Sequence, residues 1–451
     1  MRSILHDTPK HLITLIEKLR AKLCDPDFLA RHRIRPEDFT RQCPLTFPVL
    51  MIFILQKTVK SIQRHLNEFL NELSDGALFE PLTPGAFTHA RAKLKDSAFI
   101  ELNRGCLLPA IYESERPVQR WHGHRLMGVD SSLTRLPNSR ELGESFGWVE
   151  VSNQHGTTGT RYPEGRISVL YDLRNRVGLD ARLEPSALGE VPLAIQQLEH
   201  LQPGDVAIND RGFTGYVFLA SVLQRSAHFI ARCSAGSFLD AQQMFRLNQA
   251  NQSKVVWLFA PPNQKAQCQR LGLALKIKVR FVSLRLPTGE LEVLATSLLD
   301  EELYPTAEFL TVYHWRWGHE TFHLMLKSRL DLENFTGLTV EAVRQDFQAA
   351  VLLCNLESAL SQPAQESLTA QSNAQTQPLQ VNRSVSYHAL KHQVLELLYR
   401  DIPAPVVIEK LMKLFSGSPV PVRPPRKVPR RRKRSFHRSY HHQRRVKKIV
   451  F

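Results

Sequence analysis

Tyr313, Arg316, Glu320 and Lys327 stand three, four and seven residues apart in the stretch YHWRWGHETFHLMLK. At about 100° per residue on an α-helix they fall at roughly 0, 300, 340 and 320°, so a regular helix would line them along one stripe. Val312, Trp315, Phe322, Leu326 and Leu330 cluster at about 180–260° on the same wheel. Such a helix packs an apolar face on a core and presents one acid, two cations and a phenol along a line. A solvated polar face uses the same pattern, so the stripe alone leaves both readings open.

Two further acids bear on the choice. Asp130 lies inside HRLMGVDSSLTRL, which reads as a strand, and Asp210 ends the short strand GDVAIND at a turn where Gly212 follows. An Asp suits a strand poorly, and in a core strand it is costly without a partner. An Asp at a strand end is also a common turn former. Carboxylates from two strands and a helix, however, can converge on hard Mg2+ ions through oxygen ligands. Two such ions can clamp the attacking and leaving oxygens of a phosphodiester during in-line displacement. Arg316 and Lys327 would then lie where phosphates approach, and Tyr313 could stack on a base or bind a phosphate oxygen.

The elements that must position these residues can be read along the chain. Residues 1–120 have helical periodicity punctuated by Pro44, Pro48 and Pro84, and Arg91, Lys93 and Lys95 lie close together there. A small DNA-binding helical domain and a plain bundle with a basic face both fit that pattern. From residue 121 to 235 the texture becomes three strands, a helix, a strand, a helix and a strand, which implies a mixed α/β sheet. Residues 236–300 interrupt it with a β-rich insertion, in which LALKIKVRF alternates apolar residues with Lys276, Lys278 and Arg280. Residues 301–361 return to helix and carry Glu320. The Gln-, Ser- and Ala-rich stretch 362–383 reads as a linker, 384–420 as a short helical segment and 421–451 as a basic tail.

Charge and cysteine usage narrow the class. The 451 residues carry a formal charge of +16, and thirteen Lys and Arg with no Asp or Glu fall between Pro421 and Phe451. The rest of the chain is therefore nearly balanced, and the tail carries a polyanion-binding character. The six cysteines are scattered without a CxxC pair, which fits a reducing compartment and argues against a structural zinc site of that kind. The apolar run FPVLMIFIL is too short to span a bilayer, and no signal-peptide pattern opens the chain, so a cytoplasmic protein with no membrane partner is expected.

With these residues in place, the chain resembles the DDE transposases of the IS4 family. That family's Tyr-x2-Arg-x3-Glu-x6-Lys motif is met by Tyr313, Arg316, Glu320 and Lys327. GVDSS around Asp130 and INDRGF around Asp210 resemble the family's first and second aspartate strands, and FTHARAKLKDSAFIELN resembles the region before its catalytic domain. The resemblance spans roughly residues 30–360. His314 and His319 stand where many members carry Arg and an aliphatic residue, and the linker and tail lie outside the shared pattern.

The resemblance implies a ribonuclease H-like fold interrupted by the β insertion. It implies a transposase of an insertion sequence, with Asp130, Asp210 and Glu320 as catalytic metal ligands for Mg2+, for which Mn2+ can substitute. Tyr313, Arg316 and Lys327 would contact DNA. The partners would be the element's terminal inverted repeats and target DNA, handled by a homodimer in the synaptic complex, in a cytoplasmic, nucleoid-associated protein. A related metal-dependent nuclease without strand transfer, and a non-catalytic nucleic-acid-binding protein, are the alternatives.

Overall fold

β1 (Leu126–Arg135), the strand that carries Asp130, lies within a nine-stranded sheet in a computed structural model that describes residues 8–41, 43–57, 61–77, 80–113, 118–153, 156–372 and 377–422. The other strands are β2 (Trp148–Asn153), β3 (Gly156–Asp172), β4 (Val177–Pro185), β5 (Val206–Asn209), β6 (His228–Arg232), β7 (Gln252–Phe259), β8 (Lys276–Arg285) and β9 (Leu291–Thr296). Their order is β2-β3-β1-β5-β6-β9-β8-β7, with β4 on the flank of β3. β3 is antiparallel to β1 and to β4, whereas β5 runs parallel to β1 and β6 parallel to β5. The run β4-β3-β1-β5-β6 is the ribonuclease H-like mixed sheet expected from the sequence.

Alternation along the strands buries both faces. Leu126, Val206, Ile208 and Ile230 enter one core, and Met127, Val129, Ala207, Phe229 and Ala231 enter the other. The second core is covered by the helices Glu190–Gln197, Tyr216–Gln224 and Leu239–Leu247. The first core is covered by helices from both ends of the chain. The 33-residue helix Val340–Ser372 packs on β4, on the helix Phe47–Leu55 and on the helix Ala404–Ser416.

Several expectations need correction. The supposed linker is helical through Ser372, because Leu360, Ala364 and Leu368 repeat every four residues and are buried despite the polar composition around them. The Gln365 side chain further binds the Val381 amide at 3.0 Å. The segment 384–420 forms the helices Arg383–Leu398 and Ala404–Ser416, and these dock on the N-terminal helix Lys10–Leu23. There Arg20 caps the carbonyls of Leu397, Ile402 and Glu396 at 2.8–3.0 Å. The β insertion extends the main sheet instead of forming a separate unit, since β9 pairs with β6 in the register Ile230↔Thr296. The basic face of β8 holds for Lys276 and Lys278, but Arg280 is fully buried against Tyr304 O, Thr306 Oγ1 and Ser253 Oγ. The basic tail from residue 423 onward lies outside the described residues.

Candidate active site

Parallel register brings the two aspartates level. Gly128 faces Ile208 across β1 and β5. Asp130 and Asp210 each follow two residues later, so they share the sheet face of the first core at the same end of neighbouring strands. Both are half-buried. Asp130 accepts a hydrogen bond from the Ser131 amide at 2.8 Å, and Asp210 accepts one from the Arg211 amide at 2.7 Å. Burial pushes the Asp130 carboxyl up to about 6; the Ser131 amide and Arg316 oppose that rise, and Glu190 and Glu320 add to it.

Glu320 comes from the helix Trp317–Leu324, which packs against β1. Gly128 permits that approach. A Cβ added there would lie 3.1 Å from Leu173 Cδ2 and 3.2 Å from His319 Cδ2. The helix is also tied to the sheet by His319, whose Nε2 bonds the carbonyl of Val169 at 2.8 Å, and Val169 is the β3 residue opposite Asp130.

The single regular helix expected from Tyr313 to Lys327 is broken twice. The helix Glu308–His314 ends in tight i→i−3 turns at Trp315 and Arg316, and a π-helical segment, Met325–Arg329, follows Leu324. Each change rotates the wheel. The four residues therefore do not form an exposed stripe. Tyr313 is buried at 6% exposure and Arg316 at 4%. Arg316 donates through Nη2 to Glu320 Oε1 at 3.0 Å and lies over the rings of Tyr313 and Trp317. Burial works to lower its pKa, but Tyr313, Asp210 and Glu320 outweigh it and raise the value. Lys327 is half-buried, and its ammonium binds Ser132 Oγ at 2.8 Å and the carbonyl of Leu133 on β1.

The structure thus gathers Asp130, Asp210, Glu320, Arg316 and Tyr313 in one electrostatic neighbourhood. Glu292 on β9 joins it, facing Arg232, Arg211, Arg316 and Asp210. Nothing in the local pattern around Glu292 distinguishes it; only the pairing of β9 with β6 brings it in. Three carboxylates from two strands and a helix are oxygen donors of the kind a hard divalent cation takes, but among the described residues their ligand atoms are not gathered within 4.8 Å of one another.

Sequence reading also passed over a pair of histidines. His319 and His323 are buried four residues apart on the helix, with ring centroids separated by 4.9 Å. One ligand atom each from Asp130, His319 and His323 lie within 4.8 Å of one another. Burial lowers the His319 pKa to about 4 and drives that of His323 well below its ordinary value. The i,i+4 histidine spacing was a visible signal.

Known proteins share parts of this chain. InsZ of Escherichia coli (strain K12), named as a candidate transposase, is 26% identical over 108 residues, or 24% of this chain and 35% of InsZ. The match thus spans about a third of that relative's length. The cryo-EM structure of the piggyBac transposase synaptic complex with hairpin DNA overlays on 94% of this chain and 85% of its own. Identity is 10% and the TM-score 0.40, too loose an overlay to bear on function. Residues 121–356, just over half of the chain, match the family described as the transposase DDE domain. That span holds Asp130, Asp210 and Glu320, and the chain belongs to the transposase DDE domain family.

Proposed function

We propose that the protein is the transposase of an insertion sequence of the IS4 group, which binds terminal inverted repeats and performs metal-dependent cleavage and strand transfer. The observation that carries this reading is the level placement of Asp130 and Asp210 on neighbouring parallel strands, with Glu320 on a helix packed against β1 and within electrostatic reach of Asp130. Asp130, Asp210 and Glu320 would hold divalent ions, Mg2+ or Mn2+. Bound there, such ions supply Lewis-acid stabilisation of the phosphodiester and activation of water or a 3′-hydroxyl.

The other groups orient this set. Arg316, between Glu320 and Asp210, keeps two like-charged carboxylates compatible and offers positive charge to a phosphate. Lys327 fastens its segment to β1 beyond Asp130, where it can also meet the DNA backbone. Tyr313 backs the guanidinium of Arg316. The N-terminal helices would bind DNA, and two copies would hold the two ends in a synaptic homodimer. A cytoplasmic, nucleoid-associated location belongs to the same proposal; among the described residues no helix is long and apolar enough to cross a membrane.

Purified protein should cleave a duplex carrying the element's end in Mg2+ and join a pre-cleaved 3′-hydroxyl end to target DNA. Asp130→Asn, Asp210→Asn and Glu320→Gln should each reduce cleavage by at least about a thousandfold while end binding persists, since each removes a charged ligand at constant volume. Cleavage without joining would identify a nuclease instead. Wild-type-like cleavage by any one variant would remove that residue from the site.

A further inference from the structure

We infer that Asp130, His319 and His323 form a second kind of metal site, one for an imidazole-preferring divalent transition ion of the Zn2+ class. The inference shares Asp130 with the proposed site but otherwise stands on different residues. Among the described residues these three are the group of His, Cys, Asp and Glu side chains close enough to hold one ion, with ligand atoms within 4.8 Å of one another. Ligand bonds of about 2.0–2.2 Å place neighbouring ligands roughly 3–4 Å apart, so a modest side-chain contraction closes the set.

Hydrogen bonding leaves Nδ1 as the nitrogen of His319 that could ligate. Its Nε2 lies 2.8 Å from the carbonyl of Val169, which can only accept, so Nε2 carries the proton. Nδ1 then holds the lone pair, and it is buried without a partner. This is the way outer hydrogen bonds commonly orient a metal-ligating imidazole. Neither ring nitrogen of His323 makes a hydrogen bond of normal geometry, although the Asp130 backbone is near enough to favour a proton there. The two rings are 1% and 8% exposed. Leaving imidazole nitrogens unpaired in a core is costly, and a cation shared with Asp130 would satisfy Nδ1 of His319 and one nitrogen of His323. Their i,i+4 spacing on one helix turns both rings toward the same strand.

The ligand set also predicts selectivity. Two imidazoles and one carboxylate favour Zn2+ or Co2+ over Mg2+, which prefers an all-oxygen shell. The rest of the proposed catalytic set, Asp210 and Glu320, takes no part.

The test is Co2+ titration of the full-length protein without DNA, followed by visible absorption, with Zn2+ as competitor. The wild type should show a saturable band that Zn2+ abolishes and that excess Mg2+ leaves. His323→Leu should remove one bound equivalent or weaken it by about tenfold or more, whereas Asp210→Asn and Glu320→Gln should retain it. Zn K-edge absorption of the wild-type protein supplies a readout that needs no variant, since outer-shell scattering from two imidazoles is expected. A band unaffected by His323→Leu, scattering from oxygen ligands only, or loss of the band in Asp210→Asn and Glu320→Gln would overturn the site. None of those outcomes touches the cleavage results in Mg2+, which test the transposase reading by itself.

Discussion

Arg316 illustrates how a charged side chain becomes part of a core. At 4% exposure, it is bonded to Glu320 at 3.0 Å and covered by Tyr313 and Trp317. Arg316→Ala should therefore lower unfolding free energy by about 1–3 kcal/mol, where an exposed-stripe residue would change it by only about 0.5. Denaturant titration decides between the two values. Lys57 gives a pH-dependent case. Burial lowers its pKa to about 8, Asp346 offsetting part of the effect, while its ammonium binds the carbonyl of Leu332 at 3.1 Å. Below pH 8 the lysine is charged in both folded and unfolded chains. Between about 8 and 10.5 the unfolded chain binds more protons, so stability should rise with pH, by up to about 3 kcal/mol. The stability difference between wild type and Lys57→Met, followed by urea unfolding from pH 7 to 10.5, should grow accordingly. A flat difference would mean that the Lys57 ammonium remains hydrated.

At the scale of elements, buried polar pairs lock the N-terminal helices to the catalytic half. Arg91, on the helix Pro84–Arg91, binds Asp346 Oδ1 of the Val340–Ser372 helix at 2.9 Å, Gln345 Oε1 at 3.0 Å and Thr336 Oγ1 at 2.7 Å. Burial alone would raise the Asp346 carboxyl, but Arg91 and Lys57 outweigh it and hold the pKa below its usual value. Arg91→Ala should cost about 3–5 kcal/mol by leaving the Asp346 charge uncompensated. A loss below about 1 kcal/mol in equilibrium unfolding would show that water replaces the guanidinium. The same geometry explains why Arg91, Lys93 and Lys95 look like one basic cluster in sequence while Arg91 turns inward. Helical periodicity gives the face of an isolated helix, but the partner that covers it comes from some 250 residues downstream.

Over the whole molecule, charge is divided between a nearly balanced body and a terminal run of thirteen cations. Each phosphate such a tail neutralises should add about −0.9 to the slope of log K against log salt. Engagement of four to six cations predicts that truncation after Val422 flattens the slope by roughly 4–5, equally for specific and random duplexes, because contacts to phosphates carry no sequence information. Binding isotherms at several salt concentrations check this, and an unchanged slope would remove the tail from DNA binding. Most of the order of strands and helices from Leu126 to Arg232, and the elements that carry Asp130, Asp210 and Glu320, were legible in the sequence, because period-two and helical patterns and polar residues inside apolar strands are local signals; the helix Arg140–Phe146 and β2, which stand between β1 and β3, were not expected. Other features were settled only by packing at long range. These are the inward turn of Arg316 and Arg280, the helical continuation to Ser372, the arrival of Glu292 through β9, and the burial of His319 and His323 beside Asp130. A side chain's solvation depends on what covers it. For these residues the covering elements come from other parts of the chain, so their environment exists only once the sheet and its two helical layers have closed.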